Sequence, residues 1–171
     1  MKNTIVILFA YILTFTSCTT TQQKENSERP SVRREKISFN TLQEIILQDN
    51  DTLYAVNFWA TWCKPCIEEL PGFIKVKEEM HNKPFKLILV SLDRPSDFET
   101  KVIPFLNEHT ISADTYLLTD ITTMNTWIPA VDSSWTGSIP ATVFYKNKEK
   151  LNFQQEKISK HKFHSIISNN L

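Results

Sequence analysis

Cys63 and Cys66 stand two residues apart in the segment Phe58-Trp59-Ala60-Thr61-Trp62-Cys63-Lys64-Pro65-Cys66. That spacing lets both thiols reach disulfide geometry across the first turn of a helix. The chemistry open to such a pair is thiol–disulfide exchange, in which one thiolate attacks a disulfide sulfur and the second thiol resolves the mixed disulfide. Attack requires thiolate, and cysteines at a helix N-terminus ionise at about 3.5 to 7.5 instead of about 8.5. Cys63 would meet the free N–H groups and the positive end of the macrodipole, so it is assigned the attack. Cys66, a turn deeper, is the resolving thiol. Lys64 adds a positive charge nearby, and Pro65 suits a first helical turn because its missing N–H would have no partner there. A CxxC can also be half of a zinc site, but zinc normally takes two further Cys or His ligands. His161 and His164 form the one local histidine pair, three residues apart on a C-terminal helix. At about 100° per residue they fall opposite Phe163, Ile166 and Ile167, on the solvated face. No metal and no cofactor are expected.

The elements around the cysteines must present them at a strand-to-helix junction. Leu53 to Ala60 (LYAVNFWA) is a nearly continuous apolar run, the pattern of a strand buried on both faces. Lys64 to Met80 is an amphipathic helix with Cys66, Ile67, Leu70, Phe73 and Ile74 inward. Phe85 to Leu92 reads as a second buried strand. Ser96 and Glu99 have capping-box spacing for a helix to about Glu108, kinked at Pro104. Ahead of these lie a short strand, Ile37 to Phe39, and a helix from Asn40 to Leu47 capped by Asn40, with Leu42, Ile45 and Ile46 inward. Beyond them the sequence predicts a strand at Tyr116 to Leu118, a helical turn at Thr122 to Trp127, strands at Ala141 to Tyr145 and Lys150 to Gln155, and a helix from Ser159 to Leu171. The fold class is α/β, a βαβ half followed, after a short αβ insertion, by a ββα half.

The N-terminus reads as an address. Met1 and Lys2 give a short positive start, Ile5 to Phe15 is apolar, and Thr16, Ser17 and Cys18 follow. This is the layout of a signal peptide. About a dozen apolar residues fall short of the roughly 20 that span a bilayer as a helix. Phe15-Thr16-Ser17-Cys18 resembles a bacterial lipobox, with Phe15 in place of the usual Leu. The resemblance implies lipidation of Cys18 and a membrane anchor. Residues 1–17 are then a lipoprotein signal peptide, 18–35 a flexible polar tether (TTQQKENSERPSVRRE from Thr19) and 36–171 the folded domain.

With Cys63 and Cys66 at a strand-to-helix junction, the chain resembles the TlpA/ResA-like branch of the thioredoxin superfamily. The resemblance is carried by NFWATWCKPCIEELP, Asn57 to Pro71, and by Gly137-Ser138-Ile139-Pro140-Ala141-Thr142. It implies a thioredoxin-like fold, a central mixed sheet flanked by helices with an N-terminal extension, over roughly Ile37 to Leu171. It implies that Pro140 is a cis-proline facing the cysteines, and that the backbone of Ile139 pairs with an extended substrate segment. Trp62 would shape the docking surface beside the exposed sulfur, and Pro71 would interrupt and kink the long helix.

Thioredoxin has a buried Asp where this sequence has Asn57, which carries no proton in the physiological range. Glu69, three residues after Cys66, matches an acidic residue of the TlpA/ResA-like branch and takes over proton management for Cys66, unless it is a solvated carboxylate near the helix start. Trp127 and Trp135 either pack in the core or rim a substrate groove.

The activity implied is that of a membrane-anchored thiol–disulfide oxidoreductase, reducing disulfides of envelope proteins and re-reduced by a membrane-embedded donor. Cytochrome c maturation is a destination the family suggests. Direction depends on the reduction potential, so oxidase or isomerase chemistry is adjacent. A peroxide-consuming redoxin and a non-enzymatic metal carrier or tethered binding module are the alternatives. Nineteen basic against nineteen acidic side chains, with no basic stripe interleaved with aromatics, argue against nucleic acid as a partner.

Overall fold

In the computed structural model, which describes residues 32–171, the apolar run from Leu53 forms the strand β2 (Leu53–Trp59), buried at every position. Strand side chains alternate between faces, and the alternation divides the core. Leu53, Ala55 and Trp59 belong to one hydrophobic cluster, and Tyr54, Val56 and Phe58 to another on the opposite face. A strand that must satisfy apolar neighbours on both sides has no polar face, which explains the unbroken run.

Five further strands complete the sheet: β1 (Arg34–Ile37), β3 (Phe85–Ser91), β4 (Asp114–Leu118), β5 (Ala141–Lys146) and β6 (Glu149–Gln154). Their spatial order is β1-β4-β3-β2-β5-β6. The first four are parallel, while β5 runs antiparallel to β2 and β6 antiparallel to β5. Asn147 and Lys148, both at positive φ, make the two-residue turn that joins β5 to β6.

Helices α2 (Lys64–Glu79), α3 (Ile103–Glu108) and α5 (Lys160–Ser168) cover one face. The other face carries α1 (Phe39–Ile46) and α4 (Met124–Val131). The expected mixed sheet flanked by helices is therefore present. Phe163 of α5 stacks on Phe73 of α2 with ring centroids 3.8 Å apart, fixing the two helices against each other.

Local differences from the sequence reading have physical causes. Strand β1 starts at Arg34, inside the segment expected as tether, and stops at Ile37, because the cap of α1 is Ser38 and not Asn40. The Ser38 hydroxyl accepts from the Thr41 N–H at 3.2 Å, and Phe39 joins the helix as a buried residue. No capping box forms at Ser96 and Glu99: a 3₁₀ turn (Pro95–Asp97) leads into a π-helical turn (Phe98–Val102), and only then into α3. Pro104 lacks an N–H and so sits in the first turn of α3, where none is needed, while the Ile103 N–H reaches back to the Phe98 carbonyl. Helix α2 runs uninterrupted across Pro71, whose exposure puts the one missing ladder bond on the solvent side. Strand β4 starts earlier and α4 runs longer than expected, through Pro129 to Val131.

Trp127 and Trp135 are core residues and rim no groove. They pack with Phe39 and Phe58 behind the sheet, with Phe58–Trp135 centroids 4.7 Å apart. Cys18, the apolar N-terminal run and most of the expected tether lie outside the described residues. Among the described residues no helix is long and apolar enough to cross a membrane.

Candidate active site

Chain leaving β2 turns through Ala60 to Cys63, where the Cys63 N–H donates to the Ala60 carbonyl at 3.0 Å. Cys63 is the N-cap residue of α2, in extended conformation, and its carbonyl accepts the first helical bond from the Ile67 N–H. Pro65 lies in the first turn. Cys63 and Cys66 are joined as a disulfide with Cα atoms 5.3 Å apart. Cys66 is fully buried, Cys63 keeps a sliver of exposure, and Trp62 beside it is 69% exposed. The N-terminal end of α2 is thus aimed at the accessible sulfur, and free N–H groups there favour a thiolate once the disulfide opens.

Glu69 lies one turn beyond Cys66 on the buried face of α2, only 3% exposed. The reading of a solvated carboxylate is overturned. Its Oε1 accepts from Asn57 Nδ2 at 2.8 Å, and its Oε2 from the Ile158 backbone N–H at 2.8 Å. Burial pushes its carboxyl up to about 7, against the downward pull of those two hydrogen bonds and of Lys157. Asn57 is on the α2 side of β2 because it shares parity with Ala55 and Trp59, and its register partner on β5 is Thr142. Asn57 Nδ2 also donates to Thr142 Oγ1 at 3.0 Å. Neighbouring Glu68 points to solvent, paired with Lys157, which holds its carboxyl below the usual range.

Pro140 follows a cis Ile139–Pro140 bond. Ala141 pairs with Phe58, so Pro140 falls level with Trp59, at the end of β2 from which the cysteine turn departs. The approach to it is pinned by Trp135 Nε1, which donates to the Ser138 carbonyl at 2.8 Å, and by Gly137 at φ +87°. A side chain on Gly137 would strain that backbone and crowd Ile128. Pro140 is buried and Ile139 half-buried.

Residues 30–154 match the AhpC/TSA family. The chain belongs to that thioredoxin-like family. It is 39% identical over 64 residues to the thioredoxin-like protein YneN of Bacillus subtilis, covering 37% of this chain and 33% of that protein. It is 32% identical over 78 residues to the thiol-disulfide oxidoreductase ResA of Oceanobacillus iheyensis, covering 46% of this chain and 38% of ResA. The match thus spans about a third to two fifths of the length of these curated relatives. A solved structure of a secreted Mycobacterium tuberculosis disulfide oxidoreductase, described as homologous to E. coli DsbE, shares the fold. It aligns with a TM-score of 0.54 at 15% identity, over 71% of this chain and 84% of that one.

In this AhpC/TSA chain the fold gathers Cys63, Cys66, Glu69 and Trp62 around the first turns of α2, and brings Ile139 and Pro140 to the adjoining end of β5. His161 is exposed and His164 half-buried on α5. Sequence reasoning missed Asp93, just past β3 and 1% exposed. Its carboxylate accepts from the Thr61 N–H at 2.9 Å, from Thr61 Oγ1 at 2.6 Å and from Ser91 Oγ at 2.8 Å. It therefore clamps the turn two residues ahead of Cys63. The available signal was Ser91, a polar residue closing an otherwise buried strand, with an acid two positions on.

Proposed function

We propose that this chain is a thiol–disulfide reductase of the cell envelope, tethered by lipid on Cys18 and acting on disulfide-bearing proteins. The observation that carries this reading is the Cys63–Cys66 disulfide at the head of α2, with Trp62 exposed beside it and Pro140 at the adjoining strand end. Membership of a thioredoxin-like family supports it, as do a relative named thiol-disulfide oxidoreductase and a structural neighbour described as secreted.

The cycle begins from the dithiol. Cys63 thiolate attacks one sulfur of the substrate disulfide, forming a Cys63–substrate bond and expelling the other sulfur as a thiolate that takes a proton from water. Glu69 carboxylate receives the Cys66 proton, and Cys66 sulfur attacks Cys63 sulfur. The second substrate thiolate leaves, and the two electrons of the dithiol have passed to the substrate. Trp62 and the Ile139 backbone hold the substrate segment across this exchange. Restoring the dithiol consumes two electrons, supplied by a membrane-embedded donor.

A Cys66→Ser chain, expressed in its native envelope, tests this. Resolution is blocked, so mass spectrometry is expected to find envelope proteins disulfide-linked to Cys63, and an apocytochrome c among them would identify one use of the reductase. No captured protein, or a potential against glutathione near the roughly −120 mV of strong oxidants, would reject the reading.

A further inference from the structure

The Asn57 side chain presents an imbalance. Its Nδ2 serves two oxygens, Glu69 Oε1 at 2.8 Å and Thr142 Oγ1 at 3.0 Å, while its Oδ1 is buried with no hydrogen-bond partner. A buried acceptor without a partner forfeits the hydrogen bond it made to water in the unfolded chain. The orientation is set by what lies opposite: a carboxylate accepts only, so the amide must offer N–H and leave its carbonyl stranded.

Protonation of Glu69 reverses that demand. A neutral carboxyl has an O–H to give, and the Thr142 hydroxyl can donate as well as accept. A half-turn of the amide would set Oδ1 in the place of Nδ2, facing two donors, and would strand the NH2 instead of the carbonyl. Each orientation leaves one amide end unpaired, so the charge on Glu69 decides between them. We propose that Asn57 is a positioning residue whose amide serves both charge states of Glu69, donating to the carboxylate and turning to accept from the acid and from Thr142. An Asp at this position could not do so, since a second carboxylate beside the first would repel it. The proposal rests on the reading of Glu69 as the proton carrier for Cys66.

The groups facing Glu69 are few. Asn57 comes from β2, Thr142 from β5 through Asn57, and the Ile158 N–H and Lys157 from the segment before α5. On α2 itself are Cys66 and Glu68, the latter ion-paired with Lys157. Lys157 is shared with Glu68 at the surface, which leaves the Asn57 amide as the side chain in direct hydrogen-bond contact with the Glu69 carboxyl.

The test is an NMR titration of the reduced, full-length chain in detergent micelles, following the Glu69 carboxyl carbon and the Asn57 side-chain amide. Both are expected to move with one shared midpoint. In Asn57→Ala the Glu69 midpoint should move by less than about one pH unit, because the acid loses its acceptor just as the carboxylate loses its donor. In Asn57→Asp, which preserves shape, two carboxyl groups should titrate in two steps. Asn57 resonances that stay flat while Glu69 titrates, or a Glu69 midpoint that rises by more than about one pH unit in Asn57→Ala, as loss of a fixed donor requires, would overturn the proposal, and the first of these needs no variant to fold. Failure of the underlying reading has a different signature: Glu69→Gln with unchanged resolution kinetics, whatever the titrations show.

Discussion

Glu69 is costly to ionise where it stands, and that cost fixes a pH dependence. Its carboxyl titrates at about 7 in the folded chain against 4.5 for the ordinary group. Between those values the folded state holds a proton that the unfolded state has released, so stability falls as pH rises through this window and levels off above it. At 1.36 kcal/mol per unit, the fall is on the order of 3 kcal/mol. Glu69→Gln should remove this slope, so that urea melts at pH 5 and pH 8 differ less in the variant than in the parent by that amount. The same substitution should slow resolution of a Cys63 mixed disulfide about 10²-fold, as measured by quenched-flow trapping. Wild-type melts with no loss of stability across the window would show that Glu69 is not buried as a carboxyl. The cysteine pair and the acid one turn beyond it were legible because their spacing along one helix is a local property. The partners of Glu69 were not, since Asn57 and Ile158 reach it only once β2 and the segment before α5 have packed against α2.

At the scale of elements, the turn between β2 and α2 is held from outside itself. Asp93, beyond β3, takes both the N–H and the hydroxyl of Thr61, and the Leu92 N–H donates to the Trp59 carbonyl at 2.8 Å. The parallel pairing of β2 with β3, Trp59 opposite Ser91, brings the two strand ends level so that this clamp can close. Asp93→Ala would strand the Thr61 N–H and hydroxyl and the Ser91 hydroxyl, at an expected cost of about 2–4 kcal/mol by denaturant unfolding. Cys63 would also lose its fixed seat, so insulin-disulfide reduction should fall even under conditions where the variant remains folded. Unimpaired reduction by folded Asp93→Ala would show that the clamp is structural alone. Strands β2, β3 and β5 and helices α2 and α5 were readable from periodicity. The turns between Pro95 and Val102 were not, because Ser96 and Glu99 have the spacing of a cap while Pro104 dictates where the α-helix begins.

Across the whole molecule, the six strands and five α-helices of the described residues lie between Arg34 and Ser168. A chain beginning at Val32 should unfold cooperatively, within a few degrees of the full chain's midpoint by calorimetry, and reduce insulin at an undiminished rate. Full-length Cys18→Ser should instead leave activity intact and move the protein from the membrane to the soluble fraction. Noncooperative melting of the shortened chain would contradict the first expectation, and membrane retention of Cys18→Ser the second. The antiparallel placement of β5 beside β2 also has a consequence in time. Asn57 and Thr142 face each other across the sheet but are 85 residues apart in the chain. A protein emerges N-terminus first, at about 5–20 residues per second. Both thiols of a newly made chain therefore exist for several seconds before Pro140, at the adjoining strand end, has been synthesised.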